Sequence, residues 1–355
     1  MICPANRKGM SNAPLRLILD GDALAHNWRA LDAMSGSAAC GAAVKADGYG
    51  LGAREVAARL ATAGCRDFFV ATWAEAAVLA PLGLPLSVLH GVRDEDMAQA
   101  LGGTARPVLS TAAQVARWKA AGGGVCDVMI DTGMNRLGLS VEDTGLLDGL
   151  VIDTLMSHLA CADEDSPMNG RQCAAFAALA GQTSAKRMSL ANSAGIGLGE
   201  DYRFDVTRPG LAIYGGVPRA EFGAESGGVI RQVVTPEAQI LQRRTVRAGD
   251  TIGYGATFAA AHDTEVAILN IGYADGYFRG SSGQGRASAY GITLPLLGRV
   301  SMDLVAVCVD AAPAFREGDW LALDYALPSV AAASGMSQYE LLTGLGDRFD
   351  RYWQH

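Results

Sequence analysis

The chain has 355 residues, half of them apolar and only 19% charged, which fits a globular protein and excludes disorder. That length exceeds the usual size of one hydrophobic core, so two domains are expected. The formal charge of −8 is spread along the chain without a Lys/Arg cluster, and no apolar run reaches the ~20 residues of a spanning helix, so neither nucleic acid nor a membrane is an expected partner.

Residues 1–12 are polar, with Arg7 and Lys8 but no apolar stretch behind them. They are expected to be a disordered extension rather than a secretory signal, with Met10 as a second candidate start. From Leu15 to about Gly216, short apolar runs alternate with helical segments. Residues 42–44 form a run that ends in Lys45 and is followed by the glycines of 48–52. Residues 53–63 have helical periodicity, with Val56, Ala57, Leu60 and Ala63 on one face and Gly64 placed to end the helix. After the run 68–71, Thr72 and Glu75 have capping-box spacing for a helix that Pro81 should stop. The runs 86–89, 108–109, 125–130, 150–158 and 188–191 continue the series, which ends at 211–214, and Ser110 or Thr111 opens a further helix through Trp118. About eight strand–helix units in ~200 residues predict a (β/α)8 TIM-type barrel, with a doubly wound open sheet as the alternative. In either fold, reactive side chains belong at strand C-terminal ends, where Lys45 and His158 both fall.

After about Arg219 the pattern changes to short alternating segments, 239–246, 265–271, 293–297, 304–309 and 320–323, punctuated by Gly and Asp. These predict a C-terminal, mainly antiparallel β domain with one short helix near 337–345. The expected division is a barrel over 13–225 and the β domain over 226–355. The seven cysteines are odd in number and lack CxxC spacing, and HExxH, Walker A and GxGxxG patterns are absent. Reduced thiols in a cytoplasm, with no metal site, are therefore expected.

Several segments carry chemistry. A lysine amine in a partly desolvated pocket has a lowered pKa and forms a Schiff base with an aldehyde, and the glycines after Lys45 let backbone approach a ligand. Asp131-Thr132-Gly133-Met134-Asn135-Arg136-Leu137-Gly138, Ser157-His158-Leu159-Ala160 and Asn192-Ser193-Ala194 follow in the barrel. Arg208-Pro209-Gly210-Leu211-Ala212-Ile213-Tyr214-Gly215 closes it. The β domain adds Ile252-Gly253-Tyr254-Gly255, Ile271-Gly272-Tyr273-Ala274-Asp275-Gly276 and Gly298-Arg299-Val300-Ser301-Met302-Asp303. Taken singly, each also reads as a packing residue, a turn or a solvated charge.

Taken together and in order, these segments resemble the alanine racemases, enzymes that use pyridoxal phosphate (PLP), over nearly the whole chain. The resemblance implies that Lys45 carries PLP covalently, that Tyr49, Ser193 and the amides of Gly210 and Leu211 hold its phosphate in a turn opened by Asn192, and that His158 packs near its ring. It implies that Arg208 donates to the pyridine nitrogen, and that Arg136, Tyr273 and the Met302 amide meet the substrate. Racemisation needs a proton taken from one face of Cα and delivered to the other, so two bases flank the substrate: Lys45 and Tyr254. A free phenol titrates near ~10 and needs cationic neighbours to act at neutral pH, for which His158 and Arg208 are the candidates. The resemblance further implies a homodimer with shared active sites, Lys45 of one chain facing Tyr254 and Met302 of its partner. Two positions depart from the family pattern: Met129 stands where many members have a lysine that orients the arginine, and Asp347 where some have a tyrosine. The alternatives are a racemase of serine or of broad specificity, a non-catalytic PLP-binding protein, and a PLP-dependent decarboxylase of similar architecture, whose second-domain cysteine motif this sequence lacks.

Overall fold

A computed structural model describes residues 13–223 and 228–355. The chain forms two compact units, Gly21–Arg231 and a second built from residues up to Asp20 together with Gln232–His355. The extension expected over 1–12 lies outside the described residues.

The first strand, β1 (Leu15–Asp20), buries Leu15, Leu17 and Leu19 and turns Arg16, Ile18 and Asp20 outward. This period-two pattern suits a sheet with one covered face rather than the core of a parallel barrel. The strand accordingly belongs to the β unit and not to the barrel in which 13–225 had placed it.

The barrel unit begins with the helix Gly21–Ser35 and the strands β2 (Ala39–Cys40) and β3 (Ala42–Ala43). There follow β4 (Phe68–Val70), β5 (Leu86–Val88), β6 (Arg106–Leu109), β7 (Cys126–Met129), β8 (Ile152–Met156) and β9 (Arg187–Ser189), all parallel and in sequence order from β3. Then β10 (Val206–Thr207) pairs in parallel with β2, and backbone bonds from Asp205 to Met188 and from Arg208 to Ala191 tie it to the β9 side. The eight strand positions of a TIM-type barrel are thus present. Their interior is layered: Phe69, Val108, Met156 and Val206, one from each alternate strand, form a buried cluster, with Leu89 and Met129 packed against it. The run 211–214, expected as the last strand, is instead a 3₁₀ turn, Leu211–Tyr214. Pro209 has no N–H to continue the ladder, so the eighth strand stops before it.

In the β unit, β11 (Val234–Val246) is the spine. It pairs with β1 and with β14 (Thr264–Leu269), while β12 (Thr251–Ile252) and β13 (Phe258–Ala259) form a separate hairpin. The strands β15 (Arg286–Ala289), β16 (Ile292–Leu297), β17 (Val305–Cys308) and β18 (Trp320–Leu323) complete the antiparallel sheet, and β19 (Asp350–Gln354) adds to β1 in parallel. Beside the capped helix Gln338–Thr343 lies a second, Leu327–Ser334, that the alternating pattern did not indicate.

Candidate active site

Lys45 stands just beyond the C-terminal end of β3. The chain then turns through Ala46, Asp47, Gly48 and Tyr49 with φ of 52°, 52°, 62° and 55°, a left-handed turn that three non-glycine residues adopt only at a cost. Specific bonds hold it. The Ala46 N–H donates to Glu75 Oε1 at 2.7 Å, and the Ala53 N–H to Asp47 Oδ1 at 2.8 Å. The other Glu75 oxygen accepts from Ala71 and Thr72, so one carboxylate caps a helix and ties the end of β4 to the residue after Lys45. Burial, and then the guanidinium of Arg136, lower the Lys45 pKa, with Arg208 adding to the effect and Glu75 opposing it. A larger neutral fraction makes the amine both a nucleophile and a base.

Arg208 is only 6% exposed. One terminal nitrogen donates to the Ser189 hydroxyl and the other to the Ser157 carbonyl, leaving Nε without a bond among the described residues. Burial pushes its pKa down to about 10, opposed by Asp127, and it stays cationic at neutral pH. His158 is partly buried, and desolvation, followed by Arg208, Arg136 and Lys45, pushes its pKa down to about 3. Its imidazole is therefore neutral and does not supply the positive charge expected of it.

Asn192 caps the short helix Ser193–Gly197 by accepting from Gly195 at 2.9 Å. The Ser193 hydroxyl accepts from Gly210 at 2.9 Å and from Ala212 at 3.2 Å. The Leu211 N–H, on a residue 3% exposed, has no acceptor among the described residues. Tyr49 stacks on Tyr214 at 4.5 Å, and Tyr214 is anchored through its hydroxyl to the Ala43 carbonyl. A Cβ at Gly210 would lie 2.2 Å from the Tyr49 hydroxyl, so only glycine lets the backbone approach there. Two hydroxyls and a buried, uncommitted amide converge on a cradle suited to a phosphate group. With the free Nε of Arg208 and the depressed amine of Lys45, the set fits PLP.

Arg136 follows a loop in which Asp131 accepts from Gly133, Asn135 and Arg136 itself. Burial alone would raise the Asp131 pKa, but these amides lower it. The side chain of Met129 packs on the apolar layer below and makes no polar contact with Arg136.

Tyr254, Tyr273 and Met302 belong to the β unit. Tyr254 heads a 3₁₀ turn between β12 and β13 and is 68% exposed, with Gly253, Gly255 and Ala256 at positive φ around it. The Tyr273 and Met302 segments are joined by bonds from Tyr273 N to the Ser301 carbonyl and from Ala274 N to the Met302 carbonyl. The structure thus gathers nine of the twelve sequence-derived positions in the barrel unit and three in the β unit. Sequence reasoning missed four supporting groups. Glu75 had been read only as a cap. Of the two serines that grip Arg208, Ser189 carries no motif, and Ser157 was quoted only as part of the His158 segment. Arg299, whose guanidinium would lie 3.3 Å from a Cβ at Gly255, borders the Tyr254 turn and was quoted only as part of a segment.

Family models described as the N-terminal and C-terminal domains of alanine racemase match residues 19–218 and 233–353. A biosynthetic alanine racemase of Agrobacterium fabrum is 40% identical over 96% of this chain and 94% of its own length. An alanine racemase of Cereibacter sphaeroides is 41% identical over 96% and 98%. Among solved structures, the alanine racemase of Bartonella henselae with covalently bound pyridoxal phosphate aligns with a TM-score of 0.87 at 32% identity, covering 96% of this chain and 99% of that one. The biosynthetic alanine racemase of Pseudomonas aeruginosa aligns with a TM-score of 0.86 at 32% identity, over 97% and 100%. The chain belongs to the alanine racemase family.

Proposed function

We propose that this protein interconverts L-alanine and D-alanine with PLP held in the barrel, using Lys45 and Tyr254 as bases on opposite faces of the substrate. The observation that carries the reading is the convergence, at one barrel end, of a lysine with lowered pKa, an arginine with its Nε uncommitted, and a phosphate cradle.

When bound, PLP supplies an electron sink that acidifies the Cα–H of an amino acid. Lys45 Nζ takes or returns the proton on one face, its neutral fraction raised by burial and by Arg136. The Tyr254 hydroxyl does the same on the other. Arg208 only donates, so its Nε would hold the ring nitrogen of the cofactor as an acceptor, which would temper the electron sink and disfavour transamination. The Met302 amide and Arg136 receive the substrate carboxylate, and Tyr273 lines the approach.

The working form is a homodimer in which Tyr254 and Met302 of one copy complete the site around Lys45 of the other, as the family likeness suggests; the exposure of Tyr254 and Met302 fits this. A cytoplasmic location accords with the free thiols and with no described helix being long and apolar enough to cross a membrane.

Chiral chromatography of L-alanine incubated with the purified protein and PLP tests the reading. D-alanine should accumulate to an equal mixture, and Lys45→Ala should lower the rate by at least about a thousandfold. Undiminished racemisation by Lys45→Ala would refute it.

A further inference from the structure

Beside the Met302 segment, three charged side chains of the β unit form a bridge. Arg348 Nε donates to Asp275 Oδ1 at 2.6 Å, and its Nη1 donates to Asp303 Oδ1 at 2.8 Å. Asp275 is 1% exposed, and its second oxygen accepts from Gly272 N at 2.9 Å. Asp303 is half exposed. One guanidinium therefore joins the base of the Tyr273 loop to the residue directly after Met302.

The backbone between these carboxylates is already close-packed. Tyr273 N donates to the Ser301 carbonyl at 3.1 Å and Ala274 N to the Met302 carbonyl at 3.0 Å. A Cβ at Gly272 would lie 2.2 Å from the Met302 carbonyl oxygen. In a planar trans peptide the N–H points opposite to the C=O, so the bond to the Ser301 carbonyl turns the Met302 N–H away from the Tyr273 loop. That N–H has no acceptor among the described residues, and Met302 is exposed. It is an aimed donor whose orientation depends on the 301–303 segment keeping its place. Asp303 is the side chain that pins the far end of this segment, and Arg348 is what it is pinned to.

We propose that Arg348 is a positioning residue for substrate recognition: by gripping Asp275 and Asp303 together it holds the Met302 amide where a small carboxylate is received. The inference rests on the racemase reading above and names a part of the carboxylate subsite outside the residues expected to touch substrate. Arg348 acts on binding of the carboxylate and leaves proton transfer at Cα to the two bases.

The test compares PLP-loaded wild type with Asp303→Asn, Arg348→Met and Arg348→Lys. Asp303→Asn removes the charge from only the exposed arm, keeping a neutral acceptor, and leaves buried Asp275 paired. Arg348→Met breaks both arms and risks the fold, so it is read beside its melting curve. Steady-state racemisation gives KM and kcat for alanine, and competitive inhibition by propionate, a carboxylate without an amine, gives Ki. Asp303→Asn should raise KM and the propionate Ki together by up to about tenfold, the loss of one bond's charge assistance, with kcat within about threefold of wild type. Arg348→Lys should recover part of the loss seen in Arg348→Met. A fall in kcat and melting temperature at unchanged KM and Ki would make Arg348 merely structural and overturn the proposal, as would wild-type constants in all three variants. If wild type itself neither racemises alanine nor binds propionate, the underlying functional reading fails instead.

Discussion

His158 illustrates how burial and neighbours decide what a side chain can do. Read from the sequence, it was a cation available to a catalytic phenol; in the structure it is partly buried with Arg208, Arg136 and Lys45 nearby, and its pKa falls to about 3. The folded-state pKa lies below the unfolded value near ~6.5, so as pH drops below 6.5 the unfolded chain takes up a proton that the folded protein refuses. Stability linked to this group is present above pH 6.5 and is lost progressively towards pH 3. Denaturant unfolding should show His158→Gln with a shallower decline between pH 6 and pH 4 than wild type, by about 1.4 kcal/mol per pH unit. Identical slopes would mean that His158 is protonated in the fold. Lys45 and Arg208 stood out in the sequence because each sits in a segment of distinctive composition. Their supports did not, since Ser157 and Ser189 act through a carbonyl and a hydroxyl that no local pattern reveals.

At the scale of elements, local signals were reliable where one residue dictates backbone geometry. The helix Ala53–Ala63 ends at Gly64, and Thr72 with Glu75 forms a reciprocal capping box at the helix Trp73–Leu79. Signals failed where apolar content is shared by different structures. Residues 211–214 are as apolar as a strand, yet form a 3₁₀ turn after Pro209. The helix Leu327–Ser334 is too apolar to show a face, with only Leu327 and Val330 buried. The β1 strand has an alternating burial that contrasts with the fully buried β4 and β5, and its pairing with β11 and β19 assigns it to the β unit. Two element-level consequences are testable. Gly210→Ala would thrust a methyl against the Tyr49 hydroxyl, so titration with PLP followed by absorbance should show at least about tenfold weaker binding. Equal affinity would place the phosphate elsewhere. Glu75→Ala removes the acceptor for three amides and should destabilise the protein by about 1–3 kcal/mol in urea unfolding, whereas a neutral effect would deny Glu75 its role at the Lys45 turn.

For the molecule as a whole, the twelve sequence-derived positions divide between two units, the barrel holding Lys45 and the β unit holding Tyr254. A site shared between copies has a consequence that a site within one chain lacks. Mixing Lys45→Ala with Tyr254→Phe and letting subunits exchange should restore activity to about a quarter of wild type, because half the dimers are mixed and each has one intact site. No recovery would place both bases in one chain. The most direct test of the two-base assignment is exchange of the alanine Cα hydrogen with solvent deuterium, paired with chiral analysis, for wild type and Tyr254→Phe starting from each enantiomer. Wild type should give inverted product carrying deuterium at Cα from either side, and Tyr254→Phe should keep PLP bound while impairing the two directions unequally. Racemisation of both enantiomers by Tyr254→Phe at wild-type rates would contradict the assignment and leave Tyr254 a surface residue of the hairpin turn.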